Sequence, residues 1–198
     1  MAGLFNVYNA LAAITLTRSL GISLKVIAGA LEGLEPVRGR VEQIRPPKGA
    51  AKNLVAVVDY AHTLASLEEL YKAFPEVKKI AVLGKCGGGR DRWSAPKMAA
   101  LAAEYCDHVF LTDEDPYDDD PREIVDYMAT GIKDKDKLTI IMDRRKAIRA
   151  AIEYAPANAY ILISGKGTDP YIMRAGGDKE PWSDAEVVRE ELAALVGG

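Results

Sequence analysis

The sequence has little of what an extracellular, membrane or nucleic-acid-binding protein needs. Only two of its 198 residues are cysteines, Cys86 and Cys106, and they form no Cys-x-x-Cys pair, so a disulfide scaffold is not indicated. No apolar run approaches the roughly 20 residues of a membrane-spanning helix, and no basic, cleavable leader is apparent. The net charge of −3 argues against a general nucleic-acid or acidic-lipid surface. We therefore expect a cytoplasmic protein without a nucleic-acid or membrane partner.

What the chain does have is an ordinary globular balance, with 48% apolar and 28% charged residues. That composition suffices for one full domain and a fragment of another. Helical patterns over residues 5–20 and 23–32 each stop at a glycine. Residues 35–53, punctuated by proline and glycine, indicate a strand and a linker. This punctuation predicts a domain boundary. Residues 1–52 would be a short, mainly helical fragment with a linker, and residues 53–198 a separate domain.

From residue 54 onwards, strand-like and helix-like patterns alternate. Apolar, β-rich runs occupy residues 54–59, 79–83, 108–112, 138–142 and 160–164. Helical patterns lie between these runs, and a last one follows the fifth. The alternation predicts an α/β fold, with a mostly parallel, Rossmann-like sheet covered by helices on both faces. Ligands of such sheets bind beyond the carboxyl ends of the strands, so the loops after these runs are candidate sites.

The loop after the first run reads Asp-Tyr-Ala-His-Thr at residues 59–63. An acid at a strand end can accept hydrogen bonds from a ribose hydroxyl pair. The alternative is structural, with Asp59 and Thr63 capping the next helix and His62 an ordinary structural histidine. The residues alone leave both interpretations open.

The loop after the second run, residues 84–92, holds three consecutive glycines and two arginines. Glycine lets backbone N–H groups approach an anion, and Arg90 and Arg92 can pair with a carboxylate or a phosphate. This combination favours a binding function over a plain connection.

The loop after the third run carries six carboxylates within residues 113–120. Such a cluster repels itself unless it faces a cation, an ammonium group or water. A solvated loop that begins a helix, with Asp120 as N-cap and Pro121 as first residue, accounts for residues 118–120. It accounts less well for Glu114 and Asp115, which directly follow the strand. These two are candidate contacts for an ammonium-bearing substrate.

The loop after the fifth run, Ser-Gly-Lys-Gly-Thr-Asp at residues 164–169, looks superficially like a phosphate-binding P-loop. The P-loop spacing requires a glycine where Tyr160 stands and a serine or threonine where Gly167 stands. The printed sequence therefore contains no Walker motif.

Five ordered segments together resemble the Mur ligase family of ATP-dependent amino-acid ligases, most closely its tripeptide-forming branch. The segments are Gly-Leu-Phe-Asn-Val-Tyr-Asn at residues 3–9, Gly-Arg-Val-Glu at 39–42, Asp-Tyr-Ala-His-Thr at 59–63, Gly-Gly-Gly-Arg-Asp-Arg at 87–92 and Gly-Lys-Gly-Thr-Asp at 165–169. Their order and spacing are far more specific than any one segment alone.

The resemblance implies two binding sites. At the ATP site Asn9 would contact adenine, Arg40 the phosphates and Asp59 the ribose, with His62 beside them. The pocket for the incoming amino acid would be formed by Arg90, Glu114, Asp115, Tyr117, Gly165 and Asp169.

The resemblance also implies a reaction. ATP, with Mg²⁺, would phosphorylate the carboxylate of a UDP-N-acetylmuramoyl-dipeptide, and the amine of the third stem-peptide residue would then attack. The family's P-loop and carbamylated lysine have no counterpart in the printed sequence. We therefore expect a fragment with no catalytic residue, metal site or bound cofactor of its own, inactive alone. Residues 1–52 would end the central ATP-binding domain, and residues 53–198 would be the family's C-terminal domain.

The chain departs from the family pattern at several positions. The family's Asp-Asn-Pro-Arg, whose arginine grips the distal carboxylate of diaminopimelate, aligns with Glu114–Asp115–Pro116–Tyr117. A family acid is Gly89, and the last motif ends in Asp169 instead of glutamate. Because a phenol cannot neutralise a carboxylate, these changes predict lysine or ornithine as the added residue over meso-diaminopimelate.

Two other functional classes are alternatives to the ligase. The same pocket could serve a stand-alone module that binds an amino acid or a nucleotide. A dinucleotide-dependent oxidoreductase is disfavoured, because no Gly-x-Gly-x-x-Gly follows the first strand.

Overall fold

The computed structural model describes residues 3–195. The α-helices are α1 (Leu4–Ser19), α2 (Leu24–Glu32), α3 (Leu64–Lys72), α4 (Ala95–Tyr105), α5 (Pro121–Ala129), α6 (Arg144–Tyr154) and α7 (Asp184–Ala194). The strands are β1 (Glu42–Ile44), β2 (Val55–Asp59), β3 (Lys79–Leu83), β4 (His108–Leu111), β5 (Leu138–Ile140), β6 (Tyr160–Ser164), β7 (Tyr171–Met173) and β8 (Lys179–Pro181). Short 3₁₀ turns lie at Arg92–Ser94, Lys135–Lys137 and Ala175–Gly177. None of the helices in this described span is long and apolar enough to cross a bilayer.

Six strands form one sheet in the order β1-β2-β6-β3-β4-β5. All neighbouring pairs are parallel except β1 with β2, which is antiparallel. The five parallel strands are the five runs predicted from the sequence, and the α/β class with helices on both faces is confirmed. β7 and β8 form a separate antiparallel hairpin, which the sequence patterns did not indicate.

The sheet separates two hydrophobic cores. Val55 and Val57 of β2 face a core shared with α3, α4 and α5, whereas Ala56 and Val58 face a core shared with α6 and α7. All five residues of β2 are buried. Burial on both faces explains why the strands read as continuous apolar runs instead of alternating ones.

Side-chain caps begin α3, α5 and α6, the helices that follow β2, β4 and β5 along the chain. Thr63 and Ser66 form a reciprocal capping box at the start of α3, and Asp120 accepts the Arg122 N–H at the start of α5. Asp143 caps α6 in the same way. These caps fix where each chain segment turns back from the carboxyl edge of the sheet, and so where the candidate loops lie.

The N-terminal helices pack loosely on the rest of the chain. α1 contains no buried residue, and large apolar side chains on it such as Tyr8 and Leu16 are more than 60% exposed. β1, in contrast, joins the sheet although it lies within the range predicted to precede the second domain. The boundary between residues 52 and 53 therefore stays a prediction.

Candidate functional site

One cavity at the carboxyl end of β2 brings together the residues expected at a nucleotide. Its volume is about 690 Å³, and Asn9, Arg40, Asp59 and His62 all line it. These residues come from α1, the segment before β1, the end of β2 and the start of α3. Segments far apart in sequence thus converge on one cavity, while the roles that the resemblance gives to these residues stay predictions.

Asp59 lines this cavity and accepts two backbone hydrogen bonds. Its Oδ2 accepts the backbone N–H of Val41 at 2.8 Å, and its Oδ1 accepts that of Ala61 at 2.8 Å. Burial raises the pKa of this carboxyl, although the two hydrogen bonds and nearby Arg40 oppose the rise. Thr63, not Asp59, is the N-cap of α3. Asp59 therefore ties the Val41 segment to the sheet and still presents an acceptor toward the cavity.

Arg40 and two rings form the wall of the cavity. The Arg40 guanidinium lies over the Tyr60 ring, 4.7 Å from its centroid. Tyr60 meets His62 edge to face at 4.9 Å, and His62 Nδ1 lies 2.9 Å from the Tyr60 carbonyl oxygen. Arg40 is exposed and makes no ion pair among residues 3–195, so its charge is available to an anion. Tyr60 was not singled out from the sequence, although it stands inside the motif.

Two glycines join this wall to the loop after β6. Gly39 has φ +59°, and a Cβ there would lie 2.4 Å from the carbonyl carbon of Gly167. Gly167 has φ +51°, and a Cβ there would lie 2.7 Å from Tyr60 Cβ. Only glycine permits both the left-handed backbone and the close approach, which explains the residue type in both motifs.

The acidic loop is mostly neutralised by the protein itself. Lys166, 1% exposed, donates to both oxygens of Asp115 at 2.8 and 2.7 Å, and Asp115 also accepts the Met173 N–H. Arg174 pairs with Asp113. Two of the strand-end acids are therefore charge-compensated, by partners more than fifty residues away along the chain.

The acids farther along the loop are also occupied. Asp118 accepts the Gly176 N–H at 2.7 Å, Asp119 accepts the Gly88 N–H at 2.9 Å, and Asp120 caps α5. These bonds fasten the loop to the β7–β8 hairpin and to the glycine-rich loop. The carboxylate run therefore serves largely to hold three loops together.

Glu114 is the exception. It is 4% exposed, and no hydrogen bond or ion pair engages its carboxyl within the described part of the chain. A Cβ at Gly165 would lie 2.1 Å from Glu114 Oε2, so the carboxyl sits directly beneath that glycine. Burial raises the pKa of Glu114 to about 7; Arg144 and Lys166 oppose the rise.

Tyr117 lies half-buried at the turn of the same loop. Its φ is +53°, its N–H donates to the Met173 carbonyl at 3.2 Å, and its ring leaves no room for a side chain at Gly88. Tyr117, which the sequence resemblance aligns with the family's arginine, is therefore packed against the glycine-rich loop.

The other residues expected to contact the amino-acid substrate do not share one cavity. Arg90 is exposed and lines a cavity of about 450 Å³ together with Lys85, His62 and Trp93. Asp169 lines a different cavity of about 660 Å³. The carboxyl edge thus collects these residues without enclosing them in one pocket, so the shared amino-acid pocket stays a prediction. Sequence reasoning missed Lys166 and Arg174 as partners of the acids; the Gly-Lys-Gly segment was a signal for the first only.

Comparisons with known proteins agree on one family. Residues 39–167 match the Mur ligase, glutamate ligase domain. The chain is 40% identical over 197 residues to the UDP-N-acetylmuramoyl-L-alanyl-D-glutamate–2,6-diaminopimelate ligase of Trichormus variabilis, covering 97% of this chain and 38% of that protein. For the enzyme of the same name from Ralstonia nicotianae the identity is 38%, with 98% and 38% covered.

Solved structures give the same result. A structure of a UDP-N-acetylmuramoyl-L-alanyl-D-glutamate–2,6-diaminopimelate ligase superposes with a TM-score of 0.70 at 31% identity, covering 97% of this chain and 39% of the other. The UDP-N-acetylmuramate–alanine ligase of Thermotoga maritima, at 24% identity and a TM-score of 0.61 over 84% and 35% of the two chains, shares the fold. The chain spans about two fifths of the length of these proteins.

Glu114→Gln should remove a pH-dependent loss of stability. With a folded pKa of about 7 against an ordinary 4.5, Glu114 binds more protons in the folded than in the unfolded chain between those values. Its contribution to stability is present below pH 4.5 and is lost as the pH rises through 7. In thermal melts, the variant should exceed the unmodified chain at pH 8 and nearly match it at pH 5.

The control is Glu104→Gln, which removes an exposed carboxylate on α4. It should show no such gain at pH 8. Equal melting temperatures of Glu114→Gln and the unmodified chain at pH 8 would contradict the buried, unpaired placement of Glu114.

Proposed function

The chain belongs to the Mur ligase family, and from that premise we propose that it is part of an ATP-dependent ligase acting in peptidoglycan synthesis. The full enzyme would add the third residue of the stem peptide to a UDP-N-acetylmuramoyl-dipeptide. The tripeptide-forming relatives named above support this choice over other family members. The observation that carries the proposal is the convergence of Asn9, Arg40, Asp59 and His62 on one cavity.

In the proposed complex each wall of that cavity meets a different part of ATP. The Asn9 amide would hydrogen-bond adenine, and the Asp59 carboxylate would accept from the ribose hydroxyls. Arg40, exposed and without an ion-pair partner, would face the phosphates, where a guanidinium can bind two oxygens at once. The Tyr60 ring holds that guanidinium from behind.

The amino acid would bind at the neighbouring loops. Arg90 would pair with its α-carboxylate, and Gly165 would let it approach the backbone of the loop after β6. Because Lys166 neutralises Asp115, the strand-end carboxyl without an ion-pair partner among residues 3–195 is that of Glu114. Tyr117 and Asp169 would complete the distal end, where no guanidinium replaces the family arginine. These features support an ammonium-bearing side chain, as in lysine or ornithine.

Chemically, the carboxylate of the muramoyl-dipeptide would attack the γ-phosphoryl group of ATP to give an acyl phosphate and ADP. The amine of the bound amino acid would then attack the acyl carbon, and phosphate would leave as the amide forms. Mg²⁺ would neutralise phosphate charge. No group of three His, Cys, Asp or Glu side chains in residues 3–195 is placed to hold a metal ion, so no step is assigned to Mg²⁺ on this chain.

We further propose that residues 1–52 form the C-terminal end of the central ATP-binding domain, with a linker. Residues 53–198 would be the C-terminal domain of the enzyme. α1 has no buried residue and exposes apolar side chains such as Leu11 and Leu16, which supports a surface that contacts another part of the enzyme. On this proposal the chain binds at most part of each substrate and is inactive alone.

Nucleotide use tests the first half of the proposal in the full-length enzyme. Arg40→Ala and Asp59→Asn should each raise the KM for ATP by about tenfold or more, because each removes a charge-assisted contact. The KM for the amino acid should stay within about twofold. Arg38→Ala, two residues away and outside this cavity, is the matched control. An unchanged KM for ATP in both variants would refute the assignment.

Substrate choice tests the second half. In a competition assay with lysine, ornithine and meso-diaminopimelate, the full-length enzyme should prefer one of the first two. Tyr117→Arg should move the preference toward diaminopimelate, since it restores a bidentate partner for the second carboxylate. A clear preference of the unmodified enzyme for diaminopimelate would show that Tyr117 does not decide the substrate.

A further inference from the structure

A single buried arginine lies behind the loops proposed to bind the amino acid. Arg144 is the first residue of α6 and is 3% exposed. Its Nε donates to Asp184 Oδ1 at 2.8 Å and its Nη2 to Asp184 Oδ2 at 2.7 Å, which is a parallel, two-bond ion pair. Asp184 is fully buried and also accepts the Trp182 indole N–H at 2.8 Å. The pair is therefore anchored at the start of α7.

The same guanidinium reaches the ends of two strands. Arg144 Nη2 donates to the carbonyl oxygen of Ser164 at 2.9 Å, and Nη1 donates to that of Asp113 at 3.4 Å. Ser164 ends β6 and is followed by Gly165, and Asp113 lies just beyond β4 and is followed by Glu114. One side chain thus holds the two carbonyls that immediately precede the proposed amino-acid contacts.

The two segments held in this way also touch each other closely. Gly165 leaves no space above Glu114 Oε2, and Lys166 contacts both oxygens of Asp115. Contacts of this kind tolerate little relative movement, because backbone and buried charge meet at van der Waals or hydrogen-bond distance. Their geometry depends on the spacing of the carboxyl ends of β4 and β6.

We propose that Arg144 is a positioning residue, which sets the relative placement of the loops after β4 and β6 so that they bind the incoming amino acid. The identity of that ligand rests on the proposed function. Lysine could not substitute, because one ammonium group cannot reach a carboxylate and two separate carbonyls in the planar arrangement of a guanidinium. None of Arg144, Asp184, Ser164 and Asp113 lines the nucleotide cavity. Asp59 keeps its own backbone bonds to Val41 and Ala61.

The test uses steady-state kinetics of the full-length enzyme with Arg144→Lys and Asp184→Asn. Each variant should raise the KM for the amino acid by about tenfold or more, as expected for loss of a buried, charge-assisted contact. The KM for ATP should change less than about twofold. The matched control is Arg149→Met, because Arg149 also joins α6 to α7, through Glu191, and contacts neither loop. It should leave both KM values unchanged.

A double variant separates positioning from simple stabilisation. Arg144→Met with Asp184→Leu replaces the buried ion pair by apolar groups, an exchange that often preserves stability. We expect it to recover most of the melting temperature lost by Arg144→Lys while the KM for the amino acid stays raised. Recovery of both would overturn the proposal, and so would equal effects on the two substrates. This variant also decides the matter if Arg144→Lys fails to fold.

Failure of the proposed function has a different signature. An unmodified enzyme that ligates none of the candidate amino acids would refute that function. Amide exchange in residues 113–117 and 164–169 would then test the positioning directly. It should be faster in the double variant than in Arg149→Met, and equal rates would overturn the proposal.

Discussion

Burial of charge at the carboxyl edge of the sheet is the constraint on which the loops depend. Glu114, Asp115 and Asp184 lie there with Arg144 and Lys166, all nearly inaccessible to water. A buried charge without a partner is strongly unfavourable, so these side chains hold one another and the backbone carbonyls around them. Three carboxyls face two cations, and Glu114 is the one left without a direct ion-pair partner among residues 3–195. Its burial raises its pKa to about 7.

The side of the edge that we propose binds the nucleotide is held together by different contacts. There the fixed elements are backbone contacts: two N–H groups bound by Asp59, and two glycines, Gly39 and Gly167, in direct backbone contact. Charge remains exposed on that side, at Arg40. The two sides of the edge therefore differ in physical character, one rigid through buried ion pairs and the other through close backbone packing. Gly167 belongs to both, because its loop starts at the buried edge and ends against Tyr60.

Strands and helix caps that depend on neighbouring residues could be predicted from the sequence. Ion pairs between residues far apart in the sequence could not. The five parallel strands follow from apolar runs buried on both faces, and the Asp120 cap follows from its place before Pro121. β1 lies inside the stretch that proline and glycine marked as a strand and a linker, whereas the β7–β8 hairpin has only three residues per strand, too few to show a period. The partners of the acidic loop could not be read from its composition. Lys166 and Arg174 lie 51 and 61 residues beyond the acids they neutralise.

Amide hydrogen exchange in the full-length enzyme tests most directly the claim that one sheet edge carries two separately built sites. A non-hydrolysable ATP analogue should protect residues 37–42 and 59–66, and the amino acid substrate should protect residues 113–117 and 164–169. Each ligand should leave the amide exchange rates unchanged in most of the residues that the other ligand protects. Protection of residues 113–117 by the ATP analogue, with none at residues 37–42 and 59–66, would contradict the account.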